Sequence, residues 1–354
     1  MIEKEITDRI VVIGTSPEGR GGVATVIAGQ RDMMETFHFI TIHRAGVSKL
    51  WLPLTGLLKC LRYVSPRYKV VHVHSSSFSD FYRSSLFMLT MKALGKRVVM
   101  HMHGAMFEDF YASSRRSVEA VSHRVDAIAT VSRHFVNFMN DNHLSDNVYY
   151  LPNSIPGNTR PTVRDKRRAD GENRPLIYSF FGAIDGRKGI FETVEALGRH
   201  KARFKGRVEL HIGGTGDMAR MQEIINRYDI ADMVVLLGWL DAEGKSRLLA
   251  KSDVFVHPSN FESFGISILE AMDYSLPVIT TATGGIPDLV TDGVNGIVVP
   301  AGDVEAIAAA MGRLMDNPEE RLRLGSASAV HARDFHTPEA EKRLREMYRQ
   351  LLDS

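Results

Sequence analysis

The chain contains a single cysteine, Cys60, and no long apolar run among its 354 residues. One cysteine cannot form an internal disulfide, which is typical of proteins that work in a reducing compartment. No stretch approaches the roughly 18 consecutive apolar residues of a membrane-spanning helix. The first ten residues are too acidic for a signal peptide. We therefore expect a cytoplasmic protein.

The sequence also lacks the glycine fingerprint G-x-G-x-x-G of dinucleotide-binding enzymes. Its net charge is only +2, but residues 1–175 carry 24 basic and 16 acidic side chains. A basic N-terminal half indicates a partner specific to that half, either nucleic acid or an anionic membrane. The basic cluster at 166–168 has no interleaved aromatic residues, so we expect no nucleic-acid partner.

Strand and helix patterns alternate along both halves of the chain. Apolar runs that end in glycine or in polar loops predict strands at Ile10–Ile13, Val70–His74, Arg97–Met102, Asp126–Ser132, Leu176–Phe181, Val208–Gly213, Val234–Gly238, Asp253–His257 and Val278–Thr281. This alternation predicts an α/β protein with two doubly wound Rossmann-like domains. The segment 155–175 is rich in proline, glycine and charged residues, which is typical of a polar linker.

The most informative stretch runs from Phe255 to Pro300. Its first strand stops at a proline, and a helix is predicted to begin near Gly265. Backbone N–H groups at the start of such a helix can bind phosphate. Glu262 precedes the helix and Glu270 lies eight positions later, so the two carboxylates return to nearly the same face. From spacing alone, one glutamate that stabilises the N-terminus of the helix and one ordinary surface glutamate explain the pair better.

The residues around this pair change the interpretation. Glu262-x7-Glu270 is followed by Ala271-Met272, Pro277-Val278-Ile279, Gly284-Gly285-Ile286-Pro287-Asp288 and Asp292-Gly293-x-Asn295-Gly296. This block closely resembles the family-4 retaining glycosyltransferases of the bacterial surface-polysaccharide type, and the match extends over nearly the whole chain. The resemblance implies the GT-B fold, in which two Rossmann-like domains face a central cleft.

The resemblance also implies a division of labour between these domains. Residues 1–154 would bind the acceptor, residues 176–335 would bind the nucleotide sugar, and a last helix at 336–354 would return to the first domain. A hexosyl unit would pass, with retention at the anomeric carbon, from a UDP- or GDP-linked sugar to a glycan or polyprenyl-diphosphate-linked acceptor. No metal cofactor is expected, because the chain has no Asp-x-Asp motif for a metal–diphosphate complex.

Individual residues take roles from the same resemblance. A lone histidine is usually structural, but His103 follows a predicted strand where the family places a histidine beside the donor sugar. His103 and Glu262 are therefore the expected catalytic residues, and Glu270 is expected to bind the nucleotide ribose. Asn153 and Gly214 would line the cleft. A larger group would contact the donor diphosphate: Gly21, Gly22, Arg187, Lys188, Phe264, Gly265 and Ile266.

One position departs from the family pattern. The usual glycine–arginine pair is Gly182-Ala183 here, so one phosphate-binding arginine is missing, and Arg187 is a candidate substitute. Two other functions therefore stay open. One is a GT-B nucleotide-sugar epimerase, which needs no acceptor. The other is a non-catalytic partner subunit that binds a sugar nucleotide.

The segment 48–69 permits two interpretations. It combines apolar residues with Lys49, Lys59, Arg62, Arg67 and Lys69, and with the rings of Trp51 and Tyr63. These are features of a helix that lies on an anionic membrane. The first interpretation is therefore peripheral contact with the inner face of the cell membrane. An ordinary Rossmann helix that packs Leu54, Leu57, Leu58 and Leu61 on the sheet is an equal alternative.

Overall fold

The structure is a computed structural model. It describes residues 1–19, 21–43, 51–157 and 174–353, without the side chains of residues 51–54. The chain divides into two compact units, one formed by Met1–Pro156 with Phe335–Ser354 and the other by Gly157–Asp334. Most of the predicted linker, residues 158–173, lies outside the described residues.

The first unit is built on a parallel sheet of six strands. These strands are β1 (Ile10–Thr15), β2 (His38–His43), β3 (Val70–Ser75), β4 (Arg97–Met102), β5 (Ala127–Thr130) and β6 (Val148–Tyr150). Their order in the sheet is β2-β1-β3-β4-β5-β6. The helices are α1 (Lys4–Thr7), α2 (Gly22–Asp32), α3 (Trp51–Cys60), α4 (Ser79–Ala93), α5 (Phe107–Ser122), α6 (Arg133–Asp141) and the last helix of the chain, α14 (Thr337–Asp353).

The second unit repeats this plan. Its strands are β7 (Leu176–Phe181), β8 (Val208–Gly213), β9 (Val234–Gly238), β10 (Val254–His257), β11 (Val278–Thr280) and β12 (Gly296–Val298), in the sheet order β12-β11-β10-β7-β8-β9. Its helices are α7 (Ile190–Arg199), α8 (Lys201–Phe204), α9 (Met218–Tyr228), α10 (Ala242–Lys251), α11 (Ile266–Asp273), α12 (Val304–Asp316) and α13 (Pro318–Ala332). The prediction of two doubly wound α/β domains is therefore confirmed.

The central strands are buried on both faces, which explains their continuous apolar runs. Ile10 to Ile13 of β1 are fully buried, and so are Val254 to Val256 of β10. Strand β3 is different, because His72 and His74 alternate with its valines and are just as buried. Buried imidazoles need hydrogen-bond partners, so this strand must carry a polar network inside the unit.

The segment 48–69 fits neither sequence interpretation completely. Residues 48–50 lie outside the described residues, and the helix α3 follows. The expectation that Leu58 and Leu61 pack on the sheet is wrong, because each is 64% exposed. Tyr63 is buried instead, with its ring edge-on to His38 and Tyr68, so it is not a surface ring. In the part of the chain that the structure describes, no helix has the length and apolar character to span a membrane.

Candidate active site

Two loops of the second unit are joined beside the carboxyl ends of β7 and β10. The carbonyl of Arg187 accepts hydrogen bonds from the backbone N–H of Asn260 at 2.8 Å and from Ser259 Oγ at 2.9 Å. The side-chain amide of Asn260 also donates, through Nδ2, to the Gly186 carbonyl at 2.9 Å. These bonds hold the loop that precedes α7 against the loop that precedes α11. Side chains from positions about 70 residues apart are thereby brought together.

Lys188, Glu262 and His257 meet at this junction. The Lys188 ammonium lies 2.7 Å from Glu262 Oε2, and the same oxygen accepts a hydrogen bond from His257 Nε2 at 3.3 Å. Both partners of the Lys188–Glu262 pair are largely buried, with 20% and 11% of their side chains exposed. The structure therefore brings together two of the predicted site residues. His257 was not predicted, although its place at the end of a buried strand before Pro258 is visible in the sequence.

The protonation states follow from these contacts. Burial alone would raise the pKa of Glu262, but the His257 hydrogen bond and the Lys188 charge bring this pKa down to about 2. Burial lowers the pKa of His257, although Glu262 opposes that shift. Glu262 is thus ionised beside a neutral His257, which must donate its Nε2–H to the carboxylate. Against the effect of burial, the Lys188 charge also lowers the pKa of Asp185, so Glu262 and Asp185 are both influenced by this lysine.

The start of α11 lies next to this charged group in the sequence. Gly265 is the N-terminal cap of the helix, with a φ of +100°, and Ile266 is the first helical residue. The Phe264 side chain is fully buried and anchors the loop in the unit. The helix begins where it was predicted, and the first N–H groups of a helix have no acceptor within it. This end of α11 can therefore interact with an anion through its backbone.

The glycine pair Gly284-Gly285 fixes the backbone of Glu262 from the other side. The N–H of Gly285 donates to the Glu262 carbonyl at 3.1 Å. A Cβ atom on Gly284 would lie 1.9 Å from that carbonyl oxygen, and its φ of +52° also disfavours other residues. The motif that follows the two glutamates thus has a structural task, since it allows the loop to approach Glu262 closely.

Glu270 has a cation of its own. Its carboxylate forms an ion pair with Lys245 of α10, and the Lys245 ammonium lies 5.4 Å from the centre of the Phe181 ring. Burial raises the pKa of Glu270, and the Lys245 charge opposes this shift. Lys245 was missed in the sequence, because nothing in the pattern of α10 distinguishes it from a solvated surface lysine.

The remaining predicted positions of the second unit differ in how much they are constrained. Arg187 is bound by Asp185 at 2.6 Å and leaves 56% of its side chain exposed. Ala183, where the resembled family has arginine, is exposed. Gly214 packs against the Gly182 carbonyl, which lies 1.9 Å from the position of a Cβ atom on it. The structure thus gives Gly214 a packing role and leaves Arg187 accessible.

In the first unit, His103 follows β4 as predicted. Its backbone N–H donates to the Ser75 carbonyl at 2.9 Å, and its ring is 7% exposed. Burial lowers the pKa of His103 to about 3, so the imidazole is neutral near pH 7. The ring stacks on His74, and the two are joined by a hydrogen bond of 2.8 Å.

The loop beside His103 is tightly constrained. A Cβ atom on Gly104 would lie 2.2 Å from Ser77 Oγ, and this buried hydroxyl has no partner among the described residues. The next residue, Phe78, has a φ of +56°, which is uncommon for a non-glycine residue. Strained backbone and unpaired buried polar groups are concentrated at functional sites.

The other predicted residues of the first unit lie at two places. Gly21 and Gly22 are exposed at the start of α2, and a Cβ atom on either would meet no other atom within 4 Å. Asn153 is buried, follows β6, and has an Oδ1 atom without a partner in the described part of the chain. Open space at the glycines and an unpaired acceptor at Asn153 are compatible with ligand contacts.

The chain is similar to known glycosyltransferases in both sequence and fold. Residues 162–330 match the family model of glycosyl transferases group 1. The D-inositol 3-phosphate glycosyltransferase of Streptomyces griseus is 39% identical over 115 residues, which are 32% of this chain and 24% of that protein. The alignments with the first curated relatives span between about a quarter and a half of those proteins.

Solved structures match over almost the entire chain. Sucrose-phosphate synthase from Thermosynechococcus elongatus has a TM-score of 0.78 at 17% identity, covering 98% of this chain and 99% of that one. Anabaena HepE, in complex with UDP and glucose, has a TM-score of 0.75 at 17% identity, covering 96% and 98%. The match to the group 1 glycosyl transferase model thus lies within the second unit, and the chain as a whole has the GT-B fold.

Proposed function

We propose that this protein is a retaining glycosyltransferase. It transfers a hexosyl unit from a nucleotide-diphospho-sugar to a glycan or a lipid-linked glycan acceptor, in the assembly of a polysaccharide or glycoconjugate. The observation that carries the proposal is the buried Lys188–Glu262 pair beside the start of α11. A lysine and a helix N-terminus that converge on one place suit a diphosphate.

The proposed roles follow from the charges. Lys188 and the first N–H groups of α11 bind the diphosphate and stabilise the charge that develops on it as the sugar leaves. Glu262 is ionised and accepts hydrogen bonds from the sugar hydroxyls, and Glu270 accepts them from the ribose. His103 contacts the donor sugar as a neutral imidazole. Arg187, exposed and paired with Asp185, would turn towards the phosphates in place of an arginine at position 183.

The test is turnover with UDP-, GDP-, ADP- and TDP-sugars in the presence of soluble and lipid-linked acceptors. We expect one donor to release its nucleotide diphosphate with stimulation by an acceptor, and Glu262→Ala and Lys188→Ala to slow this release by a factor of about 10² or more. Lys201→Ala is the matched control, because Lys201 also forms an ion pair in the second unit, with Asp229 at 2.8 Å, away from the site loops. Retention would be read from the anomeric configuration of the product by NMR.

Other results would point to the two alternative functions. Formation of an epimer of the donor sugar without any acceptor would identify an epimerase. Donor binding without turnover across a broad acceptor panel would support a non-catalytic subunit, for which the exposed alanine at position 183 is the favouring observation.

We also propose that the end of α3 and the turn that follows it contact an anionic membrane surface. The exposed Leu58 and Leu61 lie beside the exposed side chains of Lys59 and Arg62, a combination suited to lipid headgroups and the acyl boundary. Lys59→Glu/Arg62→Glu should reduce flotation with anionic liposomes, whereas Lys205→Glu in the second unit should not. Equal flotation of both variants and the unchanged protein would exclude this surface as the anchor.

A further inference from the structure

The first unit buries four histidines next to one another on two neighbouring strands. His72 and His74 belong to β3, His101 belongs to β4, and His103 follows it. All four are at least 93% buried, and burial lowers the pKa of each of them. Each ring is therefore neutral, with one nitrogen that donates and one that accepts. Which nitrogen carries the proton depends on the hydrogen bonds around it.

Two rows of hydrogen-bonded side chains begin at one amide, the side-chain amide of Gln30 in α2. We call them the first and the second chain. The amide oxygen is 2.7 Å from His74 Nε2. The amide nitrogen is 2.7 Å from the hydroxyl of Tyr348 and 3.3 Å from His72 Nδ1. An amide oxygen only accepts and an amide nitrogen only donates, so the two ends of Gln30 impose opposite roles on the groups they face.

The first chain leads from Gln30 to His103. Because the amide oxygen accepts, His74 Nε2 must carry the proton, and His74 Nδ1 is then an acceptor. His103 Nε2 lies 2.8 Å from that acceptor and must donate to it. The proton of His103 is therefore on Nε2, and its Nδ1 keeps a lone pair. Nδ1 has no hydrogen-bond partner within the described part of the chain, so it is available to accept from a sugar hydroxyl.

The second chain leads from Gln30 to His101. The amide nitrogen, which only donates, faces both the Tyr348 hydroxyl at 2.7 Å and His72 Nδ1 at 3.3 Å, so His72 Nδ1 must accept, and Tyr348 donates its proton to it at 2.8 Å. With Nδ1 as acceptor, His72 donates from Nε2 to His101 Nδ1 at 3.0 Å. His101 consequently carries its proton on Nε2.

Among the described residues, this last N–H has no partner at hydrogen-bond distance, although the Leu151 backbone is close enough to raise the pKa of His101 against the effect of burial, and Asn153 Oδ1 has no partner either. Both residues line one cavity of about 40 Å³ between α2, α14 and the segment after β6. The cavity thus combines one buried donor with one buried acceptor, which a water or a single hydroxyl group can bridge.

We propose that Gln30 is a positioning residue that sets the tautomers of all four histidines, and thereby presents His103 Nδ1 as an acceptor to the donor sugar. The role at the sugar rests on the function proposed above, whereas the tautomers do not. The conclusion also bears on metal binding. His72, His74 and His101 have ligand atoms within 4.8 Å of one another, but a metal there would need nitrogens that already bond to neighbours in these chains.

The test uses the full chain labelled with ¹⁵N-histidine, without substrate. Two-bond ¹H–¹⁵N correlation spectra distinguish protonated from unprotonated ring nitrogens, and single histidine substitutions assign the signals. We expect Nε2–H on His74, His103, His72 and His101. The opposite tautomer at His103 in the unchanged protein would overturn the proposal, even if every variant failed to fold. So would a shift of the His72, His74 and His101 ring nitrogens by stoichiometric Zn²⁺.

Three variants sharpen the test. Gln30→Met keeps the length of the side chain but removes its hydrogen bonds, so His103 should lose its fixed tautomer. Gln30→Glu still offers an oxygen to His74 Nε2 and should restore it. Tyr348→Phe is the matched control: the Gln30 nitrogen still faces His72 Nδ1, so no tautomer should change. An unchanged His103 tautomer in a folded Gln30→Met variant would contradict the proposal.

Activity provides a separate readout. Gln30→Met should lower kcat about tenfold, the worth of one hydrogen bond, with Gln30→Glu closer to the unchanged protein. If the tautomers respond to position 30 but no transfer is found with any donor, the proposed function fails and the hydrogen-bond network stands. If transfer is found and kcat of Gln30→Met is unchanged, the link between His103 Nδ1 and the sugar fails.

Discussion

The two units hold their candidate site residues in opposite ways. In the second unit each candidate carboxylate faces a lysine: Glu262 is paired with Lys188, and Glu270 with Lys245. In the first unit the corresponding groups are neutral imidazoles joined by hydrogen bonds to Gln30 and Tyr348. Charged groups match an anionic diphosphate, whereas neutral donors and acceptors match sugar hydroxyls. On the proposed function, the charged groups of the second unit would suit a diphosphate and the neutral groups of the first unit would suit sugar hydroxyls.

Ion pairs and neutral networks also respond differently to perturbation. Removal of one partner of a buried ion pair leaves the other charge unbalanced. Removal of one member of a neutral network leaves the remaining hydrogen-bond donors and acceptors without a fixed orientation. The following changes test that contrast, beginning with the largest expected effect.

Removal of the Lys188 charge should have the largest effect. Lys188→Ala should lower kcat/KM by a factor of about 10² to 10³, since the leaving diphosphate loses a buried cation. Arg187→Ala should lower kcat/KM by less than about tenfold, because its guanidinium is exposed and already bound by Asp185. Steady-state kinetics with the donor that the nucleotide-sugar panel selects would measure both losses. Equal losses would mean that Arg187 does replace the missing arginine fully.

Substitution of Gly284 should affect both stability and donor binding. Gly284→Ala places a Cβ atom against the Glu262 carbonyl, so we expect a loss of about 3 kcal/mol in the free energy of unfolding. Gly302→Ala has a similar positive φ of +75° but no atom within 4 Å, so about 1 kcal/mol is expected. Denaturant unfolding compares the two variants. Equal costs would show that the close approach to Glu262 is relaxed in solution.

Acid should weaken the first unit before the second. The folded-state pKa values of His72 and His103 are lowered to about 3, so the unfolded chain binds protons first as the pH falls below about 6.5. Each such histidine then removes up to about 1.4 kcal/mol of stability per pH unit. In the second unit, the lowered pKa of Glu262 stabilises the folded state above about pH 4.5. This contribution to stability is lost as the pH falls towards 2.

Hydrogen exchange of backbone amides, corrected for the intrinsic effect of pH, distinguishes these two windows. Between pH 7 and 5, peptides from β3 and β4 should lose protection, while those from β7 and β8 should lose less. Burial also lowers the pKa of His257, so the second unit should lose some stability over this pH range, but less than the first unit. Loss of protection in both units to the same extent would contradict the assignment of neutral histidines to the first unit.

The smallest effect is expected on the surface of α3. Leu58→Gln should change the free energy of unfolding by less than about 0.5 kcal/mol, because the side chain is 64% exposed. Phe87→Ala in the adjacent α4 should cost about 3 to 5 kcal/mol, since that ring is fully buried. Thermal unfolding compares them. A large cost for Leu58→Gln would mean that another surface covers this leucine.

The sequence was most informative where the chemistry is local. A proline that ends β10, a glycine before α11 and the apolar spacing within that helix are all visible along the chain, and the structure has the helix at Ile266–Asp273. The alternation of apolar runs and helical patterns predicted both sheets for the same reason. The roles of Glu262 and Glu270 stay predictions that depend on the resemblance.

Partners that come from other elements were not visible. Lys245 of α10 contacts Glu270 of α11, and His257 at the end of β10 contacts Glu262 in the loop before α11. Both contacts depend on how these elements pack. Gln30 occupies an inward position of α2, where periodicity predicts burial but not the histidines of another strand. The burial of Tyr63 was missed for a similar reason, because ring contacts with His38 and Tyr68 decide it.

The discontinuity of the first unit has a consequence for how the chain is made. Tyr348, which bonds to Gln30 and His72, belongs to α14, whereas the second unit is the continuous segment Gly157–Asp334. During synthesis, the whole second unit emerges from the ribosome before α14 does. The nascent chain therefore holds a complete second unit while the histidines of β3 and β4 still await their last partner. The order of translation therefore places the second unit before the last member of the histidine network, Tyr348 in the helix Thr337–Asp353.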